Sequence, residues 1–131
     1  MTAKKMNKKI TLSEGEWKLM NLLWKDSPKS IMQMVAELET ETGWEKHTII
    51  VMLKRLEEKG VVSFVTEGRT KMYSPKVERT AVAKDETKRF LDKVYEGSLS
   101  RMLTAMVKQA DLSEKEMEEL RQILSEASEG K

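Results

Sequence analysis

The sequence predicts a mainly α-helical chain with one small β-hairpin, on three observations. Apolar residues recur at the spacing of one helix face in six segments. Three of these segments begin with a serine placed three residues before Glu or Gln, the spacing of a helix capping box. Between the third and the fourth segment lie two short β-branched and aromatic runs, separated by a turn that contains glycine.

The first three helices are each defined by an apolar stripe with a start or a stop signal. Ser13 and Ser30 start the first two helices as capping-box serines. A proline breaks the first helix, Gly43 ends the second, and Gly60 ends the third, which is predicted to run from about residue 45 to residue 59. The three stripes consist, in order, of Trp17, Met20, Leu23 and Trp24; of Ile31, Met34, Val35 and Leu38; and of Ile49, Met52, Leu53 and Leu56.

The β-hairpin follows directly after Gly60. Residues 61–66 form its first run and residues 71–74 its second, with a turn at 67–70 and Pro75 at the end. Three compact helices followed by a hairpin is the plan of the winged helix, a variant of the helix-turn-helix in which the hairpin is called the wing. The sequence therefore predicts an N-terminal winged helix-turn-helix.

Three further helices follow Pro75, and they carry more apolar surface than they can bury among themselves. The first is predicted at about 79–95, and Ser98 and Ser113 start the other two. Because so short a region cannot cover three apolar stripes, the missing surface is expected to come from a second copy of the chain. The residues expected at this dimer interface are Phe90, Leu91, Val94, Tyr95, Leu99, Met102, Leu103, Met106, Leu120 and Leu124.

The chain is expected to have three parts. Residues 1–9 carry four lysines without periodicity and are predicted to form a basic flexible tail. Residues 10–76 are predicted to form a winged-helix DNA-binding domain, and residues 77–131 a helical dimerisation domain. No apolar run approaches the ~18 residues that a membrane span needs. We therefore expect a soluble cytoplasmic protein without a membrane partner.

The third helix turns a second face away from its apolar stripe, and this face is predicted to bind double-stranded DNA. In a helix-turn-helix the exposed face of this helix enters the major groove. Arg55 has the fork that spans two acceptors of guanine, and thymine methyl groups would give Ile50 and Val51 a partner. Arg69 and Lys71 lie where a wing reaches the DNA backbone. The predicted DNA-binding residues are Lys46, His47, Thr48, Ile50, Val51, Lys54, Arg55, Arg69 and Lys71.

Other interpretations of the same residues stay open. Lys54, Arg55 and Glu58 are also typical of a solvated helix face. Ile50 and Val51 are also typical of a patch that docks another protein. A small hydrolase would use His47 as its base, but no Ser or Asp stands near it in a nucleophile motif, so no enzyme is expected. With no Cys and one His, no metal site is expected, and no cofactor either. A winged-helix regulator of another family that senses a small ligand is the remaining alternative.

Several motifs occur together in a specific order and spacing. They are residues 14–24 (EGEWKLMNLLW), residues 44–56 with Thr48-Ile49 and Leu53-x-Arg55-Leu56, residues 59–69, Tyr73-Ser74-Pro75, Phe90-Leu91, Val94-Tyr95-x-Gly97-Ser98 and residues 112–120. In these motifs, and over nearly its whole length, the chain resembles the penicillinase-repressor family (BlaI/MecI/CopY), which are winged-helix transcriptional repressors of bacteria.

The resemblance implies a homodimer that represses resistance genes by binding an inverted-repeat operator built around TACA/TGTA half-sites. Each third helix would lie in a major groove, and the C-terminal helices would interlock. Thr48 and Arg55 match operator-contacting positions of the family motif. Lys46, His47 and Val51 depart from it, because relatives often have Pro, Lys and Thr there.

Two modes of induction known in the family bear on this chain. The members that respond to β-lactams are inactivated when a membrane sensor-protease cuts an Asn-Phe bond in the C-terminal helices. The corresponding residues here are Ala105 and Met106. That cleavage chemistry does not carry over, and a regulatory sensor-protease is an open question among the expected partners. The copper-responsive members use C-terminal cysteines, which this chain lacks.

Overall fold

The computed structural model describes residues 10–129, and the predicted tail at 1–9 lies outside the described residues. Within the described range the chain forms six helices and one two-stranded antiparallel sheet. The predicted fold class, mainly α with a small hairpin, is confirmed. The elements are, in chain order, α1 (Glu14–Lys25), α2 (Ile31–Thr42), α3 (Lys46–Lys59), β1 (Val62–Glu67), β2 (Thr70–Pro75), α4 (Arg79–Tyr95), α5 (Leu99–Gln109) and α6 (Glu114–Glu129).

The first helices begin and end as their local sequence predicts. At α1 the Ser13 hydroxyl accepts the Glu16 N–H, and the Glu16 carboxylate accepts the Ser13 N–H. Ser30 makes the same exchange at α2 with the residue three positions later. Helix α3 differs, because its N-cap residue, Glu45, makes no side-chain cap hydrogen bond. Gly60 ends α3 with a φ of 80°, a left-handed conformation that suits glycine.

The hydrophobic core lies where α1, α2 and α3 meet the hairpin and the start of α4. Trp17 and Trp24, which the apolar stripe places in the core, are half-buried at its border. Their ring centroids are 5.8 Å apart, and Trp24 Nε1 donates to the Val77 carbonyl at 2.9 Å. The buried apolar residues of this core are Leu12, Leu19, Met20, Leu23, Met34, Leu38, Ile49, Met52, Leu53, Leu56, Val61, Val62, Tyr73 and Val82.

The hairpin has longer strands and a tighter turn than the sequence predicts. Strands β1 and β2 pair in register along their whole length, and the last pair before the turn is Glu67 with Thr70. Only residues 68–69 remain for the turn, where four were predicted. Gly68, with a φ of 64°, provides a left-handed backbone there. Two-residue turns of this kind match the twist of the strands, so regular pairing extends to the tip.

A backbone bridge that the sequence did not predict ties the hairpin to the loop between α1 and α2. The Lys29 N–H donates to the Tyr73 carbonyl at 3.0 Å, and the Tyr73 N–H donates to the Lys29 carbonyl at 2.8 Å. The Lys29 side chain is buried, with Nζ 2.9 Å from the Glu37 carboxylate and 3.3 Å from that of Asp26. The hydrogen bond to Glu37 is the main cause that raises the pKa of Lys29, with burial opposing it and Asp26 adding to it.

The structure divides into two compact units between Thr87 and Lys88, inside helix α4. Val82 of α4 is fully buried in the core of the first unit, and the Glu86 carboxylate accepts the Leu12 N–H at 3.2 Å. The first turns of α4 therefore pack with the winged helix. The domain boundary predicted between residues 76 and 77 lies just before this helix.

The second unit exposes most of its apolar side chains. Helices α5 and α6 begin at the predicted caps, Ser98 and Ser113. Of the ten residues predicted for a dimer interface, Met102 is buried within the chain and the others are not. Phe90, Val94, Leu99, Met106 and Leu124 are exposed, and Leu91, Tyr95, Leu103 and Leu120 are half-buried. Val107 and Ile123, which the prediction omits, are exposed as well.

Candidate nucleic-acid interface

Helix α3 has one face in the core and another in solvent. Ile49, Leu53 and Leu56 are almost completely buried, as their spacing along the helix requires. Seven of the predicted DNA-binding residues lie on the rest of the helix surface. Lys46, His47, Thr48, Ile50, Lys54 and Arg55 are exposed, and Val51 is half-buried. Ile50 is 39% exposed, so this face carries one open apolar side chain among its polar ones.

Four of these residues line one open groove together with two residues that the prediction did not include. The groove is lined by His47, Thr48, Val51 and Arg55, and by Trp44 and Met52. Because Trp44 precedes α3, a wheel of that helix does not show it, whereas Met52 belongs to the buried stripe. A Cβ at Gly15 would lie 3.3 Å from Met52 Sδ and 3.4 Å from Trp44 Cζ2, so α1 packs closely behind these two residues. We refer to this feature as the Trp44 groove.

The wing carries the two other predicted DNA-binding residues. Arg69 lies in the turn and Lys71 in β2, and both are exposed outside the Trp44 groove. The ammonium of Lys71 lies 4.5 Å from the ring centroid of Phe64, which packs against Tyr73 with ring centroids 5.4 Å apart. A cation over an aromatic face is held by the ring's electrostatic field. The Lys71 ammonium is therefore held close to the strand instead of ranging freely in solvent.

A buried carboxylate joins the start of α1 to the end of α3. Glu16 Oε1 lies 2.6 Å from Lys59 Nζ and 2.9 Å from the Ser13 N, and Lys59 Nζ also donates to the Thr11 carbonyl at 2.7 Å. Burial by itself would raise the pKa of Glu16. The hydrogen bonds from Lys59 and Ser13, with the positive charges of Lys59 and Arg55, outweigh burial and hold this pKa below its ordinary value. The sequence showed Glu16 only as a capping residue and gave no sign of its burial.

Exposed cations lie on both α3 and the wing. Lys46, Lys54 and Arg55 present positive charge on one exposed helix, and Lys71 adds to it on the wing. Across the described residues there is no group of three or more His, Asp or Glu placed to hold a metal ion. No described helix is long and apolar enough to cross a membrane.

Comparison with known protein families shows the family to which the chain belongs. Residues 12–126 match the family described as penicillinase repressor. The chain belongs to the penicillinase repressor family. Members of the penicillinase repressor family are DNA-binding transcriptional repressors with a winged-helix fold. The match covers both units, so the helices after the wing are as much part of the family pattern as α3.

The similarity of this chain to two relatives and to one solved structure can be stated in numbers. The methicillin resistance regulatory protein MecI of Staphylococcus aureus strain N315 is 31% identical over 119 residues, which are 91% of this chain and 97% of that protein. The penicillinase repressor of Bacillus licheniformis is 32% identical over 121 residues, 92% of this chain and 94% of that protein. The solution structure of monomeric Bacillus licheniformis BlaI in complex with the blaP half-operator has 31% identity and a TM-score of 0.50, covering 56% of this chain and 90% of that one.

Proposed function

We propose that this chain is a homodimeric transcriptional repressor that binds an inverted-repeat operator in double-stranded DNA. In each copy α3 lies in a major groove and the wing contacts the DNA backbone. Its targets are resistance or stress genes. Membership of the family supports DNA binding and repression. We propose in addition the dimer, the symmetry of the operator and the DNA contacts of individual residues.

The observation that carries the proposal is the exposed face of α3. It combines cationic side chains that suit phosphates with Thr48 and Arg55, which suit base edges, and with the apolar Ile50. Thymine methyl groups in the major groove would give Ile50 an apolar partner that water does not provide. The half-operator complex of monomeric BlaI supports DNA as the partner of the matching winged helix here.

The second unit supports the dimer. Its exposed apolar residues lie on all three helices, at Phe90 and Val94, at Leu99 and Met106, and at Leu124. Apolar surface on this scale in so small a unit is typical of an interface between subunits. With two-fold symmetry, the two α3 helices would reach half-sites about 34–36 Å apart, one turn of the double helix.

Selection from a pool of random DNA duplexes tests the proposed function directly. The full chain is expected to retain an inverted repeat and to bind it about 10³-fold or more tightly than random duplex at the same salt. Its affinity is expected to fall steeply as salt rises, because phosphate contacts release counterions. No retention of any duplex at low salt would contradict the proposal and favour a winged helix that docks proteins.

Replacing Arg55 by Ala is expected to weaken binding to the selected operator by about 5- to 150-fold, the loss of one bidentate grip on a base. Binding to random duplex should change much less, so the ratio of the two dissociation constants falls. Fluorescence anisotropy with both duplexes measures this. Arg101→Ala removes the same charge from an exposed site on α5 and should leave both constants unchanged. Parent-like binding of both duplexes by Arg55→Ala would contradict the assignment.

Replacing Lys71 by Ala is expected to act differently, because this side chain is assigned to a phosphate. Binding to operator and to random duplex should weaken by a similar factor. The slope of log K against log salt should become shallower by about 0.9. Lys115→Ala, at an exposed site on α6, is the charge-matched control. An unchanged slope would show that the wing lysine does not contact DNA.

A further inference from the structure

We propose that the Trp44 groove seats the 5-methyl group of one thymine in each operator half-site, and that Val51 is the residue that selects it. This inference rests on the proposed function, since it needs α3 to lie in the major groove. It goes further by assigning one chemical group of the DNA to one concave site on the protein.

The groove has the composition that a methyl group requires. Trp44, Val51 and Met52 provide its apolar surface, and His47, Thr48 and Arg55 provide its polar part. Met52 is 7% exposed and Val51 is half-buried, so these apolar side chains do not protrude from the open, shallow groove that they line. Of the four bases, only thymine presents an apolar group to the major groove.

The positive charge of α3 favours the DNA polyanion as the molecule that occupies this groove. None of the six lining residues is acidic, and one of them, Arg55, is a cation. Lys46 and Lys54 are exposed on the same helix. Glu45 and Glu58 are exposed there as well, but the exposed cations of α3, which also include Lys59, outnumber them. A polyanion that approaches α3 would therefore meet an excess of positive charge beside the apolar surface of the groove.

The structure also separates two residues that the sequence pairs. Ile50 and Val51 are adjacent apolar residues on the outward side of α3. As residue types, both could contact the methyl group of a thymine. Val51 lines the Trp44 groove, whereas Ile50 does not. A methyl group in contact with both Val51 and the Trp44 indole is removed from water more completely than a methyl group that contacts only Ile50. We therefore assign methyl selection to Val51.

Deoxyuridine tests the proposal, because it keeps every hydrogen bond of thymine and lacks only the methyl group. In the operator selected by the full chain, each thymine of the half-site is replaced in turn, in both half-sites together, and binding is measured by anisotropy. Replacement at one of these positions is expected to weaken binding by about ten- to twentyfold. Because both half-sites are replaced together, this corresponds to about three- to fivefold for each buried methyl group. If no position weakens binding by more than about 1.5-fold, the proposal is wrong.

Protein variants then locate the effect. In Val51→Ala the penalty for deoxyuridine at that position should fall below about twofold, whereas in Ile50→Ala and in Met32→Ala it should persist in full. Met32 is the control, because it is an exposed apolar residue on α2. A penalty that survives in a folded Val51→Ala variant would overturn the assignment. A chain that retains no duplex at all overturns the proposed function as well, whereas binding without methyl dependence overturns only this inference.

Discussion

Replacing Leu103 by Glu is expected to lower the affinity for a full operator by about 10²- to 10⁴-fold. The change would place a charge on the apolar side of α5, beside the exposed Leu99 and Met106. A charge at an apolar interface separates the subunits, and each winged helix then loses the high effective concentration that its partner provides. Affinity for a single half-site should stay close to that of the parent, because no DNA-facing residue changes.

Sedimentation at micromolar concentration provides the second measurement for this variant. The parent should sediment at about twice the chain mass of 15.1 kDa, and Leu103→Glu at the mass of one chain. Thr104→Glu is the matched control, because it adds the same charge at the next residue, on the exposed polar side of the same helix. Leu99→Glu, at a site that is 53% exposed in the single chain, should repeat the effect without disturbing the fold. A monomeric parent, or a dimeric Leu103→Glu, would contradict the proposed interface.

The sequence predicted those features of the fold that depend on neighbours in the chain. Capping boxes at Ser13, Ser30 and Ser113 involve residues three positions apart, and the glycine stop at Gly60 requires only a local backbone conformation. Such signals are complete within one helical turn. The apolar period of α3 likewise separates its buried and exposed faces, so Ile49 and Lys54 fell on the sides predicted for them.

The features that the sequence missed depend on residues far apart in the chain. The bridge from Lys29 to Tyr73 joins segments more than forty positions apart, and neither residue alone indicates it. Trp44 precedes α3, so the helical pattern of α3 does not place it beside Val51. Glu16 has the spacing of a capping residue, and only the position of Lys59 shows that its carboxylate is buried. Contacts of this kind are set by tertiary packing, for which the local pattern carries no signal.

Replacing Glu16 by Ala is expected to lower the free energy of unfolding by about 2–4 kcal/mol. The side chain is 2% exposed and accepts hydrogen bonds from Lys59 and from the Ser13 N–H, so the change removes the acceptor of two part-buried hydrogen bonds and empties a buried site. The loss falls below that of a fully buried ion pair because Lys59, 37% exposed, can turn toward water. Urea denaturation of parent and variant at the same protein concentration measures the difference, because dimerisation then contributes to both unfolding curves under the same conditions.

A second ion pair in the same unit provides the control. Lys18 Nζ lies 2.8 Å from the Glu41 carboxylate, about as close as Lys59 lies to Glu16, but its partner side chain is 58% exposed. Pairs in solvent contribute little, so Glu41→Ala is expected to cost less than about 1 kcal/mol. Equal losses in the two variants would show that burial of Glu16 does not matter, and that the distance alone sets the strength of the pair.

The pH dependence of stability distinguishes the charge of Glu16 from its shape. The folded-state pKa of Glu16 lies below its ordinary value of 4.5, so near that pH the unfolded chain binds more protons than the folded chain. The stabilisation from this carboxylate is therefore complete above about pH 4.5 and disappears as the pH falls through the folded-state pKa. Glu16→Gln keeps the shape and an acceptor oxygen but cannot titrate. The stability difference between the parent and Glu16→Gln should therefore be largest near neutral pH and shrink on acidification. A difference that stays constant down to pH 3 would mean that the carboxylate contributes through packing and not through its charge.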